Sequence, residues 1–127
     1  MKRILFACFL LTGTCTVTFL QTATAQVTAP TLASFTTQVN LLDSQIGSGD
    51  LTSAQATWKT LHDMMAAEQA ATRGHITSAT TPADKATYKA LAQNQRTLYA
   101  STFPLKDNMV VNRAALHTQL LAFAATM

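Results

Sequence analysis

The sequence predicts an all-α protein: a small antiparallel helical bundle of three to four helices that follows a cleaved signal peptide. Three observations support this prediction. After residue 26, apolar residues recur at helical steps of three and four along almost the whole chain. Helix-start and helix-stop residues separate these stretches, and the short connections between them favour antiparallel neighbours. The first 25 residues instead have the composition of an export signal.

Residues 1–25 are predicted to be a signal peptide. Lys2 and Arg3 provide a positive start, residues 4–20 form an apolar run diluted by threonine, and Ala23-Thr24-Ala25 is a small-x-small cleavage site. Cleavage would make Gln26 the first residue and place the protein in the periplasm or outside the cell. We therefore expect a signal peptide at 1–25, a single helical-bundle domain at 26–127, and no membrane attachment after cleavage.

Removal of the signal peptide would change the bulk properties of the chain. The full sequence has nine Lys and Arg against six Asp and Glu. Without Lys2 and Arg3, seven cations remain, scattered singly along the sequence, which argues against nucleic acid as a partner. Cys8 and Cys15 also lie in the signal peptide. The domain is therefore expected to have no disulfide, thiol nucleophile or cysteine zinc site.

The first helix is predicted from an apolar stripe at steps of three and four: Leu32, Phe35, Val39, Leu42 and Ile46. Pro30 suits the first turn, and Gly47 is predicted to be the C-cap. The second helix is predicted to start with a capping box of Thr52 and Gln55. Its stripe contains Ala54, Trp58, Leu61, Met65, Thr72 and Ile76. Trp58, the single tryptophan, is expected to be a core anchor.

The third helix is predicted to start at Thr81-Pro82-Ala83-Asp84, where a capping residue precedes a proline and an acid. Pro104 then removes a backbone hydrogen bond inside the pattern. We favour a kinked helix over a break with Thr102 as a new cap, because the stripe continues in phase through the proline. The stripe contains Tyr88, Leu91, Gln95, Leu98, Thr102, Leu105, Met109, Asn112, Leu116, Leu120, Phe123 and Met127. A kink would give three helices and a break would give four.

Two short segments resemble known families. Leu51-Thr52-Ser53-Ala54-Gln55 resembles the LTxxQ motif of the small periplasmic stress proteins of the Spy and CpxP type. That resemblance implies a helical-hairpin dimer that holds unfolded clients, but the second copy of the motif is absent here. Gly49-Asp50-Leu51 followed by Ala54, Trp58 and Leu61 is similar to the opening of a tetratricopeptide repeat helix, without a 34-residue repetition. We assign no functional residue from either resemblance.

Catalytic motifs are absent from the sequence. It has no Gly-x-Ser-x-Gly elbow and no glycine-rich phosphate loop. Asp50, Asp84 and Asp107 are interpreted as residues near helix starts or after the Pro104 bend, and the other acids as solvated residues. We therefore expect no catalytic residue, no cofactor and no enzymatic activity.

One segment, His62-Asp63-Met64-Met65, combines possible metal ligands. His62 and Met65 are three residues apart, and an imidazole with a thioether suits copper. The favoured interpretation assigns Met65 to the core and His62 to the exposed helix surface, with His117 as an exposed or hydrogen-bonded histidine. We therefore predict no metal site, and keep a metal-binding or metal-buffering protein using His62 and Met65 as the alternative.

The composition favours a function in binding. The full chain is 48% hydrophobic and only 12% charged, so few charges are available to solvate the helix faces. Ala66, Ala67, Ala70 and Ala71 would allow another helix to approach closely. We expect an exported, non-catalytic interaction module that binds a protein partner, a client or a second copy of itself. An unrecognised enzyme is the third possibility.

Overall fold

A computed structural model describes residues 28–127, and this range contains four α-helices and no strand. The helices are α1 (Leu32–Ser48), α2 (Leu51–Ser78), α3 (Pro82–Lys106) and α4 (Arg113–Ala124). The all-α class is therefore confirmed for this range. The predicted signal peptide, the cleavage site after Ala25 and both cysteines lie outside the described residues. None of the four helices has an apolar stretch long enough to cross a membrane.

The helix starts follow the predicted chemistry at α3 but not at α2. Thr81 caps α3, with its hydroxyl accepting the Asp84 N–H at 3.1 Å, and Pro82 is the first helical residue. At α2 the N-cap is Asp50, whose carboxylate accepts the Ser53 N–H at 3.1 Å. The predicted capping box of Thr52 and Gln55 is wrong, because the Asp50 carboxylate already caps the helix and places Thr52 inside its first turn.

The C-cap of α1 lies two residues beyond the predicted one. The helix continues through Gly47 to Ser48, and Gly49 is the C-cap, with φ of +80°. This left-handed conformation favours glycine and lets the Gly49 N–H reach the carbonyls of Gln45 and Ile46. The lack of a side chain at Gly47 has a different role. A Cβ atom there would lie 2.6 Å from a guanidinium nitrogen of Arg113, which crosses α1 at this point.

The helix ends shortly after Pro104 and a new helix follows, so the favoured interpretation of one kinked helix is wrong. The α3 helix continues through Pro104 to Lys106, turns occupy residues 107–112, and α4 begins at Arg113. The Asn112 side chain donates to the Leu105 carbonyl at 3.2 Å, which satisfies an acceptor left at the end of α3. Thr102 is buried inside α3 and is not a new cap.

The predicted apolar stripes account for most of the core. Its buried apolar residues are Phe35, Val39, Leu42, Ile46, Ala54, Trp58, Leu61, Met65, Met109, Leu116, Leu120, Phe123 and Ala124. Trp58 is 7% exposed, which confirms its assignment to the core, whereas Leu32 is 53% exposed and lies outside it. The stripe stays in phase across the break, since Met109, Leu116 and Phe123 are all buried.

The four helices differ in length, and this difference exposes part of α2 and α3. α1 and α3 each pack on α2 and on α4. From a rise of about 1.5 Å per residue, α2 and α3 are roughly 42 and 37 Å long, while α1 and α4 are roughly 25 and 18 Å. The Gln95 side chain on α3 donates to the Thr126 carbonyl, just beyond α4, at 3.5 Å. The part of α3 before Gln95 has no buried residue. We call residues 70–94 the α2–α3 extension.

Candidate functional site

The two residues of the possible metal pair have different surroundings. Met65 is fully buried in the core. His62 is half-buried, and its Nε2 atom forms a hydrogen bond with the Tyr99 hydroxyl on α3. The prediction of His62 as a simple exposed residue is therefore wrong, because α3 packs over this turn of α2. Among residues 28–127, no group of three or more His, Cys, Asp or Glu side chains is arranged to hold a metal ion.

An aromatic cluster surrounds His62 and consists of Trp58, His62, Tyr99 and Phe103. The His62 ring lies 4.8 Å from the Tyr99 ring and 5.0 Å from the Phe103 ring, and the Trp58 and Phe103 rings meet edge to face at 6.5 Å. Burial raises the pKa of the Tyr99 hydroxyl, which makes this phenol harder to ionise. The cluster is therefore suited to holding α2 against α3.

The remaining histidines lie apart from this cluster. His75 is exposed near the end of α2, and its ring stacks on Tyr88 of α3 at 5.2 Å. His117 is half-buried on α4, and its Nε2 atom is buried with no hydrogen-bond partner in the described residues. The structure thus places the three histidines in separate environments.

An ion pair between α1 and α4 was missed by the sequence interpretation. The Arg113 guanidinium donates to both carboxylate oxygens of Asp43, at 2.8 and 2.7 Å. This bond from Arg113 holds the pKa of the Asp43 carboxyl below its usual value. Asp43 is therefore a contact between two helices, and the prediction of a simple solvated acid is wrong at this position.

A groove with a volume of about 340 Å³ lies between the later half of α2 and the first half of α3. Three of its seven lining residues are cations. We call it the cationic groove, and its lining consists of Gln69, Arg73, Ile76, Lys89, Ala92, Gln93 and Arg96. The expectation that the cations are scattered singly is therefore wrong in three dimensions.

Helix geometry explains why these residues share one groove. On α3, Gln93 is four residues after Lys89 and three before Arg96, so all three side chains project from one face. On α2, Gln69, Arg73 and Ile76 follow the same four-then-three spacing. Later positions of α2 contact earlier positions of α3, as the pairs His75–Tyr88 and His62–Tyr99 show. This order brings the two faces together.

The charges of the cationic groove are not balanced by neighbouring carboxylates. Arg73, Lys89 and Arg96 are all exposed, and none forms an ion pair within residues 28–127. Elsewhere in this range Lys59, Lys106 and Arg113 do pair with an acid. The groove therefore combines three cations and two amide side chains in one place, which suits an anionic ligand.

The predicted alanine surface and several apolar side chains are partly open to solvent. Ala66 and Ala70 are exposed on α2, while Ala67 and Ala71 are half-buried. Val110 and Val111, in the turn after α3, are 57% and 75% exposed. These residues lie apart from the cationic groove and do not form part of its lining.

No protein-family model, no curated protein and no solved structure matches this chain.

Proposed function

We propose that this protein is an exported, non-catalytic binding protein whose helices form an antiparallel bundle. In this proposal the shorter helices α1 and α4 cover one half of α2 and α3 and build the core. The α2–α3 extension, together with Gln69 and Arg96, provides the binding face. The single observation that carries the proposal is the cationic groove, where three cations without an acidic partner in the described chain line an open space.

The charge of the groove favours an anionic partner. Three cations in one groove repel each other unless a ligand or salt ions neutralise them. A partner that supplies negative charge would gain ionic hydrogen bonds without breaking an existing ion pair of the described residues. This is a more specific form of the expected interaction module.

The alternative of metal binding through His62 and Met65 has less support. The Met65 sulfur belongs to a fully buried side chain, and the His62 Nε2 atom already has Tyr99 as a partner. A metal ion held by the Met65 sulfur and the His62 Nε2 atom would have to replace both sets of contacts. We therefore place the binding function at the cationic groove.

Export is part of the proposal and has its own test. The composition of residues 1–25 supports cleavage after Ala25. N-terminal sequencing of protein recovered from the host's envelope or medium should give Gln26 as the first residue. Recovery of an intact chain that retains Cys15 would contradict this part of the proposal.

The binding function can be tested by retention of envelope components on the immobilised protein. We expect retention by the natural protein, loss of retention in Arg73→Gln with Arg96→Gln, and normal retention in Lys59→Gln. Lys59 is a matched control, because its exposed pair with Asp63 lies outside the groove. Equal retention by all three proteins, or none by any, would contradict the proposal.

A further inference from the structure

We propose that the cationic groove binds a phosphate-class oxyanion with several negative charges, such as a short polyphosphate. This inference rests on the proposed binding function and adds the chemical class of the ligand. It depends on the arrangement of charge, the extent of the groove and the residues that line it.

The spacing of the cations favours an extended anion over a compact one. Lys89 and Arg96 are seven residues apart on α3, so their positions differ by about 10 Å along the helix axis. Arg73 lines the same groove from α2. A ligand with two or three linked phosphoryl groups can contact cations on both helices at once, whereas a single phosphate would be held by fewer of them.

The donor types in the groove match phosphoryl oxygens. Each guanidinium can offer two parallel N–H groups to an oxyanion, and the ammonium of Lys89 adds a compact charge. The exposed side-chain amide of Gln93 can donate further hydrogen bonds, whereas the Nε2 group of Gln69, which is buried, already donates to the Met65 carbonyl at 3.4 Å. No acid lines the groove, so a bound oxyanion would meet no repelling carboxylate there.

The lining also argues against larger anionic partners. Ile76 and Ala92 are its only apolar side chains, which gives a peptide few contacts for its own side chains. No aromatic residue lines the groove, so nucleic acid bases would find no stacking platform there. A volume of about 340 Å³ is near the small end of ligand sites in proteins. A small, highly charged ligand fits these features best.

Calorimetric titration of the purified protein with sodium tripolyphosphate at low ionic strength tests the proposal. We expect saturable binding that weakens as salt is added, because exposed charges are screened. Arg73→Gln and Arg96→Gln should each weaken binding about tenfold or more, as expected for loss of a charge-assisted contact. Lys59→Gln should bind normally, and Arg73→Lys should bind better than Arg73→Gln. Circular dichroism would verify that every variant is folded.

Co-sedimentation with vesicles distinguishes a lipid headgroup from a free phosphate compound. Cardiolipin carries two linked phosphates in its headgroup, as the proposal requires. Sedimentation with cardiolipin but not phosphatidylcholine vesicles, lost in Arg73→Gln, would support the phosphate chemistry and assign it to lipid. Tripolyphosphate binding without sedimentation would support a soluble ligand.

Other results would overturn the proposal. These are no binding in either assay, unchanged binding by the arginine variants, or tighter binding of polyglutamate or oligothymidine than of tripolyphosphate. If neither tripolyphosphate nor cardiolipin vesicles bind while envelope retention still depends on Arg73 and Arg96, the oxyanion inference is wrong and the proposed function stands.

Discussion

Trp58 connects the core of the protein to the contact between α2 and α3. Its side chain is buried with the apolar residues of the core, and its ring also meets Phe103 in the aromatic cluster. The spacing of Trp58 with Leu61 and Met65 in the sequence was enough to predict this burial. The hydrogen bond between Tyr99 and His62 could not be predicted in the same way, because the two residues are 37 positions apart.

Replacement of Trp58 by alanine should destabilise the protein strongly. We expect Trp58→Ala to lower the free energy of unfolding by about 3–5 kcal/mol, because a large buried side chain leaves a cavity. Chemical denaturation followed by circular dichroism measures this change. Thr60→Ala, an exposed position on the same helix, should change stability by less than about 0.5 kcal/mol. A loss below about 1 kcal/mol in Trp58→Ala would show that the residue is not a core anchor.

The ion pair of Asp43 and Arg113 should make stability depend on pH in the acidic range. The pKa of Asp43 is lower in the folded protein than its ordinary value of 3.8. Its ionised form therefore stabilises the fold above that value, and this contribution disappears as the pH falls through the folded-state pKa.

Urea denaturation of Asp43→Asn and the natural protein between pH 2 and pH 7 tests this effect. We expect the variant to be less stable at neutral pH and the difference to shrink toward zero as the pH falls below 3.8 and Asp43 becomes protonated. Asp107→Asn is the control, since Asp107 is exposed and pairs with the neighbouring Lys106. A stability difference between Asp43→Asn and the natural protein that is constant across this pH range would rule out the linkage.

Helix boundaries were harder to predict than the faces of the helices. The apolar stripes correctly identified buried positions in all four helices, because burial requires the same face to recur on each turn. Two glycines lie close together at the end of α1, and the sequence does not show which one has a positive φ. A helix can also end after a proline while the apolar stripe stays in phase in the next helix, as happens between Lys106 and Arg113.

Substitution by alanine should have opposite effects on the stability of the protein at Gly49 and at Gly74. Gly49 has a φ of +80°, so Gly49→Ala should destabilise the protein by about 1–2 kcal/mol. Gly74 lies inside α2 with open space around its Cα, so Gly74→Ala should stabilise the helix by about 0.5–1 kcal/mol. Thermal unfolding of both variants provides the comparison. Stabilisation by alanine at Gly49 would contradict the assignment of this residue as the C-cap.

The cationic groove forms only when α2 and α3 pack against each other, because both helices contribute lining residues. Arg73 and Lys89 are separated by the end of α2, a connection and the start of α3, so their proximity depends on how the two helices are aligned. The sequence does contain a partial signal, since Lys89, Gln93 and Arg96 share a helix face. Combining that face with Gln69, Arg73 and Ile76 required the contacts of the folded chain.

The unequal helix lengths give the molecule two parts with different compositions. The shorter helices meet α2 and α3 where the core residues lie, and the α2–α3 extension has mainly small and polar side chains. The sequence predicted the helices and the core, but it did not predict that the three cations of the cationic groove converge. We propose that the core provides stability and that the extension, with Gln69 and Arg96, provides binding.

The most direct test is a map of backbone amide NMR shifts during titration with sodium tripolyphosphate. We predict that the largest changes fall on residues 69–76 and 88–96, with small changes in α1 and α4. The same titration of Arg73→Gln with Arg96→Gln should leave these amides nearly unchanged. Shifts centred on α1 or α4, or shifts that persist in the double variant, would contradict the claim that the α2–α3 extension is the binding face.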